Sequence, residues 1–219
     1  DYGEGDQIGI EKTLIEYINN IVQAFEEVRR VLRPDGVAWL NLGDTYCNMP
    51  QGSRFSESRI EGSIKNKDLM MVPHRCAIAL QDAGWFIRSE IIWNKLNPMP
   101  ESVKDRCSRS HEIVFMLAKS PKYFYNSDAI RTPFSQSMIE RIPLIGTGKT
   151  YGGKGRGAYG KKSPSNGAMA GISANLNGAN KKTVWTLPSA PQKAAHFATF
   201  PPALIEPMIL AGSNPGDIV

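Results

Sequence analysis

Residues 31–46 read VLRPDGVAWLNLGDTY, and the fold turns on how this stretch is interpreted. Pro34 lacks an amide and Gly36 tolerates a left-handed turn, so a helix arriving from upstream stops here. Val37 to Leu42 then run for six residues without alternation, which suits a parallel strand covered on both faces. The run ends abruptly in Gly43, Asp44 and Thr45. Helix, tight turn, buried strand and polar terminus form the rhythm of an open α/β sheet, whose ligands lie beyond the carboxyl ends of its strands.

Working outward, the upstream helix has Leu14, Ile18, Ile21, Phe25, Val28 and Leu32 at steps of 4, 3, 4, 3 and 4. That spacing places them on one apolar face. Downstream, residues 48–67 are polar and aperiodic and read as a surface loop. A second helix is expected over about 68–83, with Pro73 in its first turn and Gly84 as its stop. WFIRSEIIW (85–93) and EIVFMLAKS (112–120) read as buried strands. Because no helical pattern separates them, they are expected to pair antiparallel. The long connection between them, WNKLNPMPESVKDRCSRSHE (93–112), could have been a tight turn; long inserted connections are typically functional or disordered. A last helix begins at Pro201 or Pro202 and ends at Gly212, and NPGD (214–217) turns the chain into an apolar start, GDIV.

Composition narrows the class. The 219 residues are 41% hydrophobic, 21% charged and 9% aromatic, as in globular proteins of one ordinary domain plus an insertion. No apolar run approaches the roughly 20 residues of a membrane span, and no charged-then-apolar leader opens the sequence, so the reading is intracellular with no membrane partner. Cys47, Cys76 and Cys107 are odd in number and far apart, and His74, His111 and His196 are scattered. Neither a disulfide framework nor a metal is expected.

The charge is unevenly distributed. The net charge is +5, yet between Arg141 and Ile205 there is no Asp or Glu and there are nine basic residues, among them Lys149, Lys154, Arg156, Lys161 and Lys162. A one-sign block on an otherwise acidic chain suits a polyanion, duplex nucleic acid above all; the plainer alternative is a solvated basic loop. Ten glycines fall within residues 146–180, too few large apolar groups accompany them to offset ordering entropy, and mobility is expected. GTGKT (146–150) looks like the end of a phosphate-binding loop, but it follows no buried strand and opens no apolar helix.

Five blocks in order, DYGEGDQIG (1–9), VLRPDGVAWLNLGDTY (31–46), IIWNKLNPMPESVKDR (91–106), SHEIVFMLAKSPKYFYN (110–126) and HFATFPPALIEPMILAGSNPGDIV (196–219), resemble the DNA amino-methyltransferases that modify cytosine N4 or adenine N6. Their order is that of the permuted class whose catalytic motif comes first. The resemblance implies a partial Rossmann-like, S-adenosylmethionine-dependent methyltransferase α/β sheet with an antiparallel final strand pair and a flexible basic insertion. Its Ser/Asp-Pro-Pro-Tyr motif would precede Asp1 and its Phe-x-Gly-x-Gly loop would follow Val219, so the chain is expected to be a fragment inactive alone. Residues 1–140 would be the catalytic-side part, 141–182 a target-recognition insertion, and 183–219 the cofactor-side helix leading into a strand.

The resemblance also assigns residues. His196, Phe197, Thr199 and Phe200 would line the S-adenosylmethionine pocket, with amides at the following helix N-terminus suited to a carboxylate. Asp44, at a strand's carboxyl end beside Asn41 and Gly43, has an active-site role or else caps a following turn. Asn97 and Pro98 would shape the target-base pocket, and Lys104, Arg106 and Arg109 would face phosphates flanking an extruded nucleotide; a rigid loop with solvated charges is the alternative. Lys149, Lys154, Arg156, Lys161 and Lys162 would contact the backbone, with Tyr151 and Tyr159 nearby in sequence. The implied partner is double-stranded DNA, with a restriction endonuclease as companion in the cytoplasm of a bacterium or of a phage host. Cytosine N4 is favoured over adenine N6. A nucleic-acid-binding module without activity, or a methyltransferase of RNA or protein, are the competing readings.

Overall fold

The computed structural model describes residues 7–47, 64–140, 178–189 and 200–219. Helix α1 spans Leu14–Val31. Thr13 caps it: its hydroxyl accepts from the Glu16 amide at 3.2 Å, and the Glu16 carboxylate accepts in return from the Thr13 amide at 3.2 Å. This reciprocal box satisfies two otherwise orphaned donors. Ile18 and Ile21 are buried, as the spacing required.

Strand β1 covers Val37–Leu42. Helix α2 is Val72–Asp82, with Pro73 in its first turn and Gly84 beyond its end at φ +89°, where a side chain would be strained. It starts four residues later than expected from the sequence, because Lys67 and Met71 take left-handed conformations (φ 72° and 57°) and break the approach. Strand β2 is Phe86–Lys95 and β3 is His111–Ala118. They pair antiparallel as expected, in register from Asn94 opposite His111 to Phe86 opposite Ala118. A register shift between Ile87 and Ser89 inserts Arg88 as an extra residue. That bulge reverses the side-chain parity, so that Ile87 and Ile92 both reach the core beneath α1 and α2.

One expectation requires correction. β1 pairs with β3, and this pairing is antiparallel, from Val37 opposite Ala118 to Leu42 opposite Ile113. The continuous apolar run reports coverage of both faces, not strand direction. Coverage is indeed two-sided: Ala38, Leu40 and Leu42 join the core with Ile18, Ile21, Cys76 and Leu80, whereas Trp39 joins Trp93, Trp185, Leu204 and Met208 on the other face.

A short strand that the sequence did not announce, β4 at Val184–Leu187, pairs parallel with β2 and completes the order β1-β3-β2-β4. Four residues carry too little pattern to read alone. Helix α4, Pro202–Gly212, then covers the face opposite α1 and α2, burying Leu204, Met208 and Ala211. Gly212 sits where an added Cβ would lie 2.8 Å from the Val37 side chain, so its lack of one allows the helix end to approach β1. Since β1, β2 and β4 share one direction, their carboxyl ends emerge on one edge of the sheet.

The contacts divide the chain into two units. Residues 1–126 with 182–219 form the sheet and the helices just described. The second unit, 127–181, contains a 3-10 turn at Asp128–Ile130, helix α3 at Gln136–Ile139, and a bridge pairing Thr132 with Ala179. Nearly all of the glycine-rich basic stretch lies outside the described residues. Among the described residues no helix is long and apolar enough to cross a membrane.

Leu80 is fully buried between α2 and the sheet. Leu80→Ala is expected to lower the unfolding free energy by about 2–5 kcal/mol, and Thr13→Ala by about 1 kcal/mol. Urea unfolding midpoints check both.

Candidate functional site

At the carboxyl end of β1 the chain makes a small ribbon with the segment before α2. Met70 N donates to Thr45 O at 2.9 Å, Cys47 N to Asp68 O at 2.8 Å, and Lys67 N to Cys47 O at 2.8 Å, while Tyr46 bridges Leu69. Asp44 is placed by this ribbon. Its Oδ1 accepts from Thr45 N at 2.8 Å and from Val72 N at 3.0 Å. Met71, the residue at the cap position of α2, makes no side-chain cap, so Asp44 supplies one from 28 residues away. Asn41 is likewise engaged, its Nδ2 donating to Ile113 O at 3.2 Å.

The β2–β3 connection folds back on this ribbon. Arg106 lays its guanidinium 3.8 Å from the centre of the Tyr46 ring. Its Nη1 donates to Glu101 Oε2 at 2.6 Å and to Cys107 O at 3.1 Å. Glu101 also accepts from Arg109 N at 3.2 Å. Hydrogen bonding to Arg106, then to the Arg109 amide, holds the Glu101 carboxyl below its ordinary range, and the same bond to Glu101 raises Arg106. A carboxylate with a lowered pKa favours the folded loop above its unfolded value and loses that contribution as pH falls through the folded one, so the clasp contributes at neutral pH and weakens in acid. Lys67 pairs with Asp105 at 2.6 Å, fastening the loop a second time. Lys95 pairs with Glu112 and lies 4.7 Å above the Trp93 ring.

The sequence-predicted residues thus divide. Arg109 comes to Gly43, next to Asp44 in the chain, where an added Cβ would lie 3.8 Å from Arg109 Nη2 and from Glu112, while Arg106 lies on Tyr46. Arg106 is turned into the loop, not outward. Lys104 is exposed, as are Asn97 and Pro98. Asn97 directs its amide to Ser189, accepting from its N at 2.7 Å and its Oγ at 3.2 Å. Phe200 is 47% exposed and borders an open hollow of about 470 Å³ lined by Pro202, Ile205, Glu206, Ile209 and Leu210. Asp44 and Asn97 do not line that hollow. His196, Phe197 and Thr199, and Lys149, Lys154, Arg156, Lys161 and Lys162, lie outside the described residues.

The N-terminus of α4 offers fewer amides than an ordinary first turn. Pro201 and Pro202 have no N–H, and Leu204 N is used by Pro201 O at 2.9 Å. Among the described residues the hollow beside this N-terminus is lined by apolar side chains together with Glu206. Tyr46, Glu101, Trp93, Lys95, Glu112 and Ser189 were not anticipated. Only the opposite charge of Glu101 beside Arg106 and Arg109 could have signalled one of them. Among the described residues no group of three or more His, Cys, Asp or Glu side chains could hold a metal ion.

Comparison with known proteins gives this geometry a setting. A family model described as DNA methylase, of the N6/N4 methyltransferase class, matches residues 2–219. The chain is 40% identical over 230 residues to the Type II methyltransferase M.XycI of Xanthomonas campestris pv. cyanopsidis, covering 100% of this chain and 64% of that protein. It is 38% identical to M.Cfr9I of Citrobacter freundii, again over 100% of this chain and 64% of the relative, and 36% identical to M.SmaI of Serratia marcescens, over 99% and 65%. The chain therefore spans about 64% of the length of the first of these relatives. Among solved structures, the PvuII DNA methyltransferase (cytosine-N4-specific) matches with a TM-score of 0.58 at 13% identity, covering 98% of this chain and 60% of that one, and shows a shared fold. The α/β sheet is that of the Rossmann-like methyltransferases, and on the match across its whole length the chain belongs to the DNA methylase family.

Proposed function

We propose that this chain acts within a site-specific DNA methyltransferase, moving a methyl group from S-adenosylmethionine to an exocyclic amino group of DNA, cytosine N4 ahead of adenine N6. The observation that carries this reading is the braced platform at the carboxyl ends of β1 and β2, in a chain matched end to end by Type II methyltransferases. The five ordered blocks favour cytosine. A restriction endonuclease of matching specificity and a bacterial cytoplasm, whether the gene is the host's or a phage's, complete the proposal.

An exocyclic amino group is a weak nucleophile because its lone pair is delocalised into the ring. Catalysis is then mainly placement, and the base must leave the duplex at a cost of a few kcal/mol that the pocket and backbone contacts offset. S-adenosylmethionine supplies an electrophilic methyl on sulfur. The chain's own part is to hold the base: the Pro98–Pro100 tip stands at the sheet edge with its backbone restricted by two prolines. Phe200 and its apolar neighbours on α4 would take part of the cofactor, with His196, Phe197 and Thr199 next to them in sequence.

The basic residues have different tasks. Lys104, exposed on the loop, and Lys149, Lys154, Arg156, Lys161 and Lys162 would meet phosphates, positioning the duplex without reading it. Arg109 would stand between these roles, its backbone tied to Glu101 and its guanidinium beside Gly43. Arg106 is a brace: its charge is spent on Glu101 and its face on Tyr46.

Full-length enzyme incubated with tritiated S-adenosylmethionine should label duplex DNA and not RNA, with the label in N4-methylcytosine after nucleoside digestion. Label in N6-methyladenine removes the cytosine preference, and label in RNA alone removes the proposal. For the cations, Lys104→Ala should reduce the slope of log affinity against log salt by about 1. Arg106→Ala should leave that slope unchanged while lowering the thermal midpoint.

A further inference from the structure

Asn97 stands where a ladder of hydrogen bonds is interrupted by prolines. β2 and β4 pair in parallel register from Ile92 opposite Val184 to Lys95 opposite Leu187, and Leu96 N still donates to Leu187 O at 3.3 Å. Continued for two residues, the register sets Asn97 opposite Ser189. Backbone pairing fails there, since Pro188 and Pro98 have no N–H to give. The Asn97 side chain takes over. Its Oδ1 accepts from Ser189 N at 2.7 Å and Ser189 Oγ at 3.2 Å, and its Nδ2 donates to Ser189 O at 3.4 Å. A carboxamide carries the same donor and acceptor as a peptide group, which lets it replace one.

This geometry disfavours direct contact between Asn97 and a base. An exocyclic amino group needs an acceptor, and both lone pairs of Oδ1 are already engaged by Ser189. We propose instead that Asn97 is a positioning residue: acting through Ser189, it sets the direction in which Pro98, Met99 and Pro100 leave the sheet, and that tip meets the target nucleobase. The inference rests on the methyltransferase reading above. Met99 is 86% exposed and Leu96 64%, so the tip presents apolar surface that no described residue covers. With a proline on each side of Met99 the tip has little freedom of its own, and its placement is inherited from its root at Asn97 on one side and the Glu101 clasp on the other.

Misplacement of a reacting group by about 1 Å can cost about 100-fold in rate. In the full-length enzyme, Asn97→Ala is therefore expected to slow single-turnover methyl transfer by about 10- to 100-fold while DNA affinity and KM for S-adenosylmethionine change less than about 3-fold. Asn97→Asp, which retains the acceptor for Ser189 N–H, should recover most of the rate. Ser189→Pro removes the same bond from the other side and should reproduce the Asn97→Ala loss, and the double variant should be no slower than either single. A slow Asn97→Ala beside a normal Ser189→Pro would show that Asn97 touches substrate itself and overturn the proposal. Normal rates in both variants with lowered thermal midpoints would reduce the clasp to a stabilising contact and overturn it equally. Wild-type enzyme that transfers no methyl to DNA fails the underlying methyltransferase reading, an outcome distinct from either of these.

Discussion

The burial of β3 on both faces and both edges is the constraint on which the rest depends. Its residues from Ile113 to Ala118 are all buried. Ile113, Phe115 and Leu117 belong to the core beneath α1 and α2, while Val114 belongs to the core beneath α4. A strand so placed has no water to satisfy its amides, so every backbone group must find a partner in β1 or β2. Both neighbours run antiparallel to it. They must then run parallel to each other although they never touch as a ladder, and β4, parallel to β2, follows them. The convergence of three carboxyl ends on one edge is thus a consequence of how the middle strand is packed, and the candidate site inherits its location from the core.

That edge is held by contacts that share members. Tyr46 belongs to the ribbon with Leu69 and also lies under Arg106; Arg106 reaches Glu101; Glu101 reaches the Arg109 amide; and Arg109 returns to Gly43, the residue directly after β1. Exposed ion pairs taken singly contribute little. A closed circuit behaves differently, because losing one member loosens the geometry that the next relies on. Asp44 belongs to the same logic, since by capping α2 it joins the end of β1 to the start of the next helix.

What could be read from the sequence is what periodicity encodes. α1 was legible because Leu14, Ile18, Ile21, Phe25 and Val28 repeat at helical spacing, and the β2–β3 pair because two apolar runs flank a segment with no helical pattern. The direction of β1 was not legible: an uninterrupted apolar run such as Val37 to Leu42 says that both faces are covered, and Trp39 and Leu40 face different cores, yet it is silent about which way the neighbour runs. β4 was hidden because Val184–Leu187 is short and owes its extended form to β2. At the site, the residue types were found but their partners were not. Arg106, expected to face phosphates, has Tyr46 beneath it, 60 positions earlier in the chain, and Asn97, expected to shape the base pocket, has Ser189 opposite; neither partner is near in sequence.

The same distinction separates two basic regions that look alike by residue count. Around the β2–β3 connection three cations have counter-charges close by: Arg106 with Glu101, Lys95 at the end of β2 with Glu112, and Lys67, from the segment before α2, with Asp105. Their charge is largely spent inside the protein, where it shapes a loop. Between Arg141 and Ile205 the sequence supplies nine cations and not one carboxylate, so no acidic residue of that stretch can neutralise them locally. Uncompensated charge is what a polyanion responds to, through the release of its counterions. The placement of acidic residues alone sets the two regions apart: the paired cations around the connection shape a loop at the strand ends, and those of the long stretch have no carboxylate near them in sequence.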